Sequence, residues 1–263
     1  EKKVRIKKMK KNKSAALLLA LSVAACMAFS ACAQEKAAPS ASKETEPAVQ
    51  AAVLQTPVAP SYFDDAVFVG DSITSKLQMY AQDLRQNGEE CLGQAQFITS
   101  GSLGYNNALW EISEEAVHPF YKGAKTKIED AVQDCSAKKV YLMLGMNDLG
   151  LFKDEQTFAS IATLLESIKE KVPDVQLFLQ SVTPMLKESQ QAGLNNARIE
   201  EFDQKLKAYC EDNGYSFIDV ASVMRDAQGN LIPEYCGDPD VLGIHFTSAA
   251  CNVWVDYLLN HPR

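Results

Sequence analysis

Short apolar runs alternate with amphipathic stretches from Tyr62 to the end of the chain. Five runs of four or five residues are rich in Val, Ile, Leu and Phe, which favours buried strands. These runs cover 66–69, 96–99, 140–144, 175–179 and 216–220. Because they are almost continuously apolar, they are typical of parallel strands that are covered on both faces of a sheet.

Between these runs, apolar residues recur at the spacing of one helix face. The predicted helices cover 73–87, 124–136, 154–171, 195–212 and 247–260. Asn-Gly pairs follow two of them, where a glycine can take the left-handed conformation that ends a helix. The alternation predicts one three-layer α/β domain, residues 61–263, with a parallel sheet.

The first 32 residues have a different pattern. Seven lysines precede an apolar run over 15–31, which ends at Cys32. A charged segment, an apolar segment and small residues before a cleavage point are typical of a secretory signal. Cys32 after Ser-Ala resembles the lipobox of bacterial lipoproteins, whose cysteine is acylated, with Cys26 as the alternative. An uncleaved membrane anchor is the other interpretation, and both hold the domain outside the cytoplasmic membrane.

Residues 33–60 contain eight Ala and four Pro, with no Gly and no aromatic residue. Such a segment buries too little apolar surface to offset its ordering entropy, so it is predicted to be a disordered linker.

The net charge of -8 divides into +7 for residues 1–32 and -15 for the rest. Such an acidic body repels phosphate backbones, which argues against a nucleic-acid partner.

Five of the seven cysteines lie in the predicted domain. They show neither a CxxC pair nor the spacing of a zinc finger, so no metal site is expected. Their pairing cannot be deduced from the sequence, and each could equally be a small buried apolar residue. The five are Cys91, Cys135, Cys210, Cys236 and Cys251.

Polar residues that could act in catalysis follow the predicted strands, at the edge of the sheet where α/β proteins bind ligands. Gly70-Asp71-Ser72 follows the first strand and opens a helix, whose N-terminal N–H groups can stabilise an oxyanion. Alone, Ser72 could be only a helix cap. Gly101–Asn106 follows the second strand, and Gly145–Asp148 follows the third. His245 lies directly before the last helix.

In this order, the Gly-Asp-Ser, Gly-x-Asn-Asp and Gly-x-His-Phe-Thr segments resemble the SGNH hydrolase superfamily, also called GDSL esterases and lipases. The resemblance implies a flavodoxin-like five-stranded sheet of order 2-1-3-4-5 and no cofactor. It implies that Ser72 is the nucleophile and His245 the general base. The oxyanion donors would be the backbone N–H groups of Ser72 and Gly104 and the side chain of Asn147, with Gly101 as an alternative to Gly104.

The acidic member of the catalytic triad is the open question. The family usually has an aspartate three residues before the histidine, and here that position is Leu242. Leucine cannot accept the imidazole N–H bond that fixes the tautomer. Asp240 is the first choice for this role, Asp238 is the second, and Glu234 is a poorer candidate. A Ser–His dyad with a backbone carbonyl is the alternative.

These features predict a membrane-tethered serine esterase that cleaves short acyl esters, in particular acetyl groups on a carbohydrate or cell-wall polymer, through an acyl-enzyme. An acyltransferase that passes the acyl group to a wall polymer is one alternative. A binding lipoprotein that kept the fold without catalysis is the other. Oligomeric state cannot be deduced from the sequence.

Overall fold

The computed structural model describes residues 56–263, and the central feature of that region is a five-stranded parallel sheet. Its strands are β1 (Ala66–Gly70), β2 (Gln96–Thr99), β5 (Lys139–Met143), β6 (Gln176–Gln180) and β7 (Ser216–Ile218). They lie in the order β2-β1-β5-β6-β7, and every neighbouring pair is parallel. Counted along the chain within this sheet, the order is 2-1-3-4-5, as the family resemblance implied.

Two helix layers cover the sheet. The helices are α1 (Ser72–Gln86), α2 (Ile128–Asp134), α3 (Asp154–Lys171), α4 (Asn196–Asn213) and α5 (Ser248–Asn260). Helices α1 and α5 contact each other, and the Tyr80 hydroxyl bonds to Asn252. Helix α3 contacts α2 and packs its Phe158 ring against Phe202 of α4. The predicted three-layer α/β fold is therefore confirmed.

The core is centred on an aromatic row that crosses four neighbouring strands. The rings of Phe97, Phe68, Tyr141 and Phe178 stack in succession, with centroid separations of 5.5, 4.9 and 4.5 Å. These residues face one another in the parallel register, which puts their side chains on the same face of the sheet. Apolar burial of this kind supplies the main driving force for the fold.

The predicted elements match the observed ones closely, and α3 and β2 match at both ends. The predicted helix over 124–136 is shorter, because a small hairpin of β3 (Phe120–Tyr121) and β4 (Ala124–Lys125) takes up its first residues. Within 56–263, no helix is long and apolar enough to cross a membrane. The predicted signal sequence, Cys26, Cys32 and most of the predicted linker lie outside the described residues.

Candidate active site

Ser72 lies at the first turn of α1, directly after the carboxyl end of β1. The side chain of Asp71 caps this helix, because its Oδ1 atom accepts the N–H of Ile73 at 2.8 Å. Asp71 is buried, whereas Ser72 is partly exposed. Since a neighbouring residue provides the cap, the Ser72 hydroxyl is free for another partner and lies at the positive end of the helix dipole.

That partner is His245. Its Nε2 atom lies 2.8 Å from the Oγ of Ser72, although 173 positions separate the two residues. This distance is within the range for proton transfer between a nucleophile and a general base. The structure therefore joins the serine of the Gly-Asp-Ser segment to the histidine that precedes α5, as the sequence predicted.

Asp238 completes the arrangement. Its Oδ2 atom lies 2.7 Å from the Nδ1 of His245, and its Oδ1 atom accepts the backbone N–H groups of Ile244 and His245, each at 3.0 Å. The thiol of Cys236 donates to the same Oδ1 at 3.4 Å. A carboxylate on Nδ1 holds the imidazole in the tautomer whose Nε2 can accept the serine proton.

The first choice of acid, Asp240, is corrected by this geometry. Asp238 starts a tight turn in which its carbonyl accepts the N–H groups of Val241 and Gly243. Asp240 lies at the exposed tip of that turn, and Leu242 is also exposed. The turn therefore points Asp240 away from the imidazole, while Asp238 lies at its base, beside His245.

Backbone pairing fixes Asp238 opposite His245. Cys236 and Phe246 form an antiparallel bridge, and the N–H of Gly237 donates to the carbonyl of His245 at 2.7 Å. On the far side of the bridge, the N–H of Thr247 donates to the carbonyl of Tyr235. The acid and the base are thus carried by two paired segments, residues 235–238 and 245–247, here called the acid–base bridge.

Asn147 reaches the same place from the loop after β5. Its Nδ2 atom donates to Oδ2 of Asp71 at 3.1 Å and to the carbonyl of Leu103 at 3.0 Å. Asp71 therefore contacts both the helix that carries Ser72 and the amide predicted to stabilise the oxyanion. Both amide hydrogens of Asn147 already have acceptors, so an oxyanion can bind only by displacing one of these acceptors. The Leu103 carbonyl is the weaker of the two, because it is neutral, and an anion accepts a hydrogen bond more strongly.

Asp148 joins the loop after β2 to the loop after β5. Its two oxygens accept the N–H groups of Tyr105 and Asn106 and the Asn106 side chain, at 2.8 to 3.0 Å. Asn106 also bonds to Thr157 and Ser160 of α3. The loops that carry the predicted oxyanion donors are therefore held on the α3 side of the sheet.

Gly104 needs to be a glycine, because a Cβ atom there would lie 2.6 Å from an oxygen of Asp148. Its N–H donates to Oδ1 of Asn107 at 2.8 Å and is buried. Gly104 can therefore act as an oxyanion donor only if Asn107 releases it, and this role stays a prediction. Gly101, the alternative, lies exposed in the same loop.

The carboxyl groups of the site differ in their electrostatics. Burial raises the pKa of Asp71 to about 6, although the N–H of Ile73 and the nearby His245 act in the opposite direction. Burial also raises the pKa of Asp148. The pKa of Asp238 is lowered, because its hydrogen bonds with His245 outweigh its partial burial. Asp238 is therefore the carboxyl suited to remain ionised and to stabilise an imidazolium.

No cluster of three or more His, Cys, Asp or Glu side chains that could hold a metal ion occurs among residues 56–263. The chemistry that the site can perform is nucleophilic: a serine, a base on the serine, and a carboxylate on the base.

The contribution of Cys236 was not foreseen from the sequence. The only available signal was its position two residues before Asp238.

Comparisons with known proteins agree with this geometry. The pattern of the GDSL-like Lipase/Acylhydrolase family matches residues 68–251, which is most of the described region. No match to a curated protein was found.

Several solved structures share the fold. A protein from Bacteroides fragilis described as an acylhydrolase superposes with a TM-score of 0.56 at 19% identity, covering 78% of this chain and 88% of that one. A GDSL-like lipase from Bacteroides thetaiotaomicron superposes with a TM-score of 0.54 at 18% identity, covering 74% of this chain and 86% of that one. A carbohydrate esterase family 3 structure from Talaromyces cellulolyticus superposes with a TM-score of 0.51 at 15% identity, covering 73% of this chain and 93% of that one. At these identities the likeness concerns the fold.

The family match, which covers the segments of Ser72, Asn147 and His245, shows that the chain belongs to the GDSL-like lipase/acylhydrolase family of serine ester hydrolases.

Proposed function

We propose that the protein is an extracytoplasmic esterase that removes short acyl groups, in particular O-acetyl groups, from a carbohydrate or cell-wall polymer. The observation that carries the catalytic part is the continuous series of contacts from Ser72 Oγ to His245 Nε2 and from His245 Nδ1 to Asp238 Oδ2, at 2.8 and 2.7 Å. Such a series activates a hydroxyl that is unreactive by itself.

In the proposed reaction, His245 Nε2 takes the proton of Ser72 as Oγ attacks the ester carbonyl. The oxyanion is stabilised by the N–H of Ser72 and by the Asn147 amide, which releases the Leu103 carbonyl. The imidazolium, stabilised by Asp238, then gives its proton to the leaving alcohol. His245 next takes a proton from a water molecule as that water attacks the acyl-enzyme. The bond between the acyl group and Ser72 Oγ then breaks, the carboxylic acid leaves, and His245 returns the proton to Oγ.

A short acyl group suits the surroundings of Ser72. The side chains whose hydrogen bonds form the site around the Ser72–His245 contact, those of Asp71, Asn147 and His245, are polar. A long hydrocarbon chain gains free energy only where it removes apolar surface from water, and these side chains offer little of it. The fold likeness to a carbohydrate esterase from Talaromyces cellulolyticus directs the substrate proposal to sugar esters.

The first experiment measures hydrolysis of 4-nitrophenyl acetate and labelling by a fluorophosphonate probe. We expect the wild type to be active and labelled, and Ser72→Ala to lose both, because the acyl-enzyme cannot form. Ser75→Ala is the matched control, since this serine lies one turn further along α1 and bonds only to the Asp71 carbonyl. Equal labelling of wild type and Ser72→Ala would refute the mechanism.

The second experiment separates hydrolysis from transfer. An acetylated wall polymer is incubated with the enzyme, and released acetate is measured with and without an added unacetylated sugar acceptor. We expect acetate in both cases, because water resolves the acyl-enzyme. Acetyl groups recovered on the acceptor in place of free acetate would indicate an acyltransferase.

The location is tested through Cys32. We expect labelled fatty acid to be incorporated into the wild-type protein and to be lost in Cys32→Ser, with Cys26→Ser as the matched control. Label that persists in Cys32→Ser and disappears in Cys26→Ser would move the lipid to Cys26. Absence of label from all three proteins would contradict a lipid anchor.

A further inference from the structure

A groove of about 570 Å³ runs along α1 beside the start of α5. One wall is formed by one face of α1 and the other by the residues that follow His245. The lining residues used below are Lys76, Met79, Tyr80, Gln86 and Thr247. None of their side chains takes part in the contacts among Ser72, His245 and Asp238, although the backbone of Thr247 belongs to the acid–base bridge.

The groove begins at Lys76, one helical turn along α1 from Ser72. Lys76 lies four residues after Ser72, which puts both on the same face of α1, one turn apart. Thr247 lies two residues after His245 in the acid–base bridge. Gln86 is at the far end of α1, about 21 Å from Ser72 at a rise of about 1.5 Å per residue. The groove therefore leads away from the reacting atoms along a helix.

The mechanism decides which part of the substrate faces this groove. The loops with the predicted oxyanion donors are held on the α3 side through Asn106 and Asp148. His245 approaches Ser72 from the opposite layer, where it precedes α5. Because His245 must give its proton to the leaving alcohol, that alcohol lies on the His245 side. The portion of substrate beyond the alcohol oxygen then continues towards α1 and α5.

The lining chemistry suits a sugar chain. Lys76, Gln86 and Thr247 offer an ammonium, an amide and a hydroxyl, which match the hydroxyl groups of a carbohydrate. Met79 is 60% exposed, and the Tyr80 ring is half-buried beside it. Such flat or flexible apolar surfaces can cover the C–H faces of sugar rings while the polar groups bind their edges.

From this placement we infer that the groove along α1 binds the carbohydrate chain that carries the ester, over several sugar units beyond the acylated one. The inference rests on the proposed esterase function and extends it, because it makes the enzyme selective for polymers. In this arrangement the acyl group lies at Ser72, and the sugar chain occupies the α1 groove.

The test compares three substrates: 4-nitrophenyl acetate, and an O-acetylated disaccharide and hexasaccharide of β-1,4-linked N-acetylglucosamine. We expect kcat/KM to be higher for the hexasaccharide than for the disaccharide. Gln86→Ala should lower kcat/KM for the hexasaccharide about three- to tenfold, the loss of one hydrogen bond, and leave the other two substrates unchanged. Lys76→Ala, closer to Ser72, should affect both oligosaccharides.

The control variant is Lys207→Ala, an exposed lysine on α4 in the other helix layer, which should change none of the three rates. Equal rates on the two oligosaccharides, unaffected by Gln86→Ala, would overturn the inference. So would hydrolysis of 4-nitrophenyl acetate with neither oligosaccharide cleaved, although the esterase itself would stand. Loss of activity on all substrates would instead contradict the proposed function.

The acyl group is the competing occupant of the groove. If it lay there, rates on 4-nitrophenyl esters would rise with acyl chain length, and Met79→Ala would abolish the increase. That result would assign the groove to the acyl chain and would overturn the inference.

Discussion

At the scale of single residues, the carboxyl groups of the site differ in their surroundings and therefore in their pKa values. Asp238 has an imidazole and two backbone N–H groups as partners, and its pKa is lowered. Asp71 is buried, and its pKa is raised to about 6. One carboxylate therefore stays charged to support His245, while the other serves to position Ser72 and Asn147. The same side-chain type performs two tasks because burial and donors differ.

The choice between Asp238 and Asp240 gives the first prediction. Asp238→Asn should lower kcat about 10³- to 10⁴-fold, because an amide in this place favours the wrong imidazole tautomer. Asp240→Asn should stay within about twofold of the wild type, since its side chain is exposed. Both are measured as steady-state hydrolysis of 4-nitrophenyl acetate. The reverse ranking would restore Asp240 as the acid.

The buried Asp71 gives a prediction on stability and pH. Its pKa rises from 3.8 to about 6 on folding, so between these values the folded state binds more protons than the unfolded state. The free energy of unfolding therefore falls as pH rises through this window. Asp71→Asn lacks this loss, so its stability relative to the wild type should improve by roughly 3 kcal/mol between about pH 4 and pH 7. Urea unfolding across this range measures it, and parallel curves for the two proteins would contradict it.

At the scale of elements, catalysis depends on how the acid–base bridge is held against the rest of the molecule. Gly243, between the turn of Asp238 and His245, has a φ of 66°. Its carbonyl accepts the N–H of Leu186 at 2.9 Å, and a Cβ atom at this position would collide with the side chain of Ser189. The loop after β6 thus supports the segment that delivers His245.

This packing predicts different outcomes for two glycines with left-handed backbones. Gly229 has a φ of 83° and open space where a Cβ atom would lie, so Gly229→Ala should cost only the backbone strain, about 1–2 kcal/mol. Gly243→Ala adds crowding of about 1–3 kcal/mol and displaces His245. We expect Gly243→Ala to lower kcat at least about tenfold. Thermal unfolding and ester hydrolysis test both, and equal activity of the two variants would contradict the prediction.

At the scale of the whole molecule, apolar burial rather than covalent cross-links stabilises the described domain. All five cysteines within 56–263 are free, and four of them are buried. Burial raises the pKa of Cys210 and Cys251 to about 12, so their thiols are unreactive in the folded state. The buried apolar residues of the described region form one continuous core.

The free thiols predict that a reducing agent leaves the unfolding temperature unchanged. A native disulfide contributes about 2–4 kcal/mol, so losing one would lower the unfolding temperature of a domain of this size by about 5 °C or more. Thermal scans with and without reductant measure the effect. As a control, thiol labelling should be slow in the native protein and reach all five cysteines of the domain after denaturation.

The sequence by itself determined the parts of the protein that depend on local pattern. Continuous apolar runs are typical of buried parallel strands, so the sheet could be predicted from them. The order of its strands was implied by the family resemblance. The Gly-Asp-Ser segment needs only a strand and a helix to place Ser72 at a helix N-terminus, and the family match follows from such segments. The short hairpin at 120–125 lacked this pattern and was missed.

Tertiary structure decided what depends on segments meeting in space. Counting residues from His245 could not distinguish Asp238 from Asp240, because the bridge between Cys236 and Phe246 and the turn at Asp238 set the direction of each side chain. The bond from Gly104 to Asn107 depends in the same way on loop geometry. The groove beside α1 exists only because α5 packs next to α1. Contacts between distant segments are fixed by packing, which residue spacing alone does not encode.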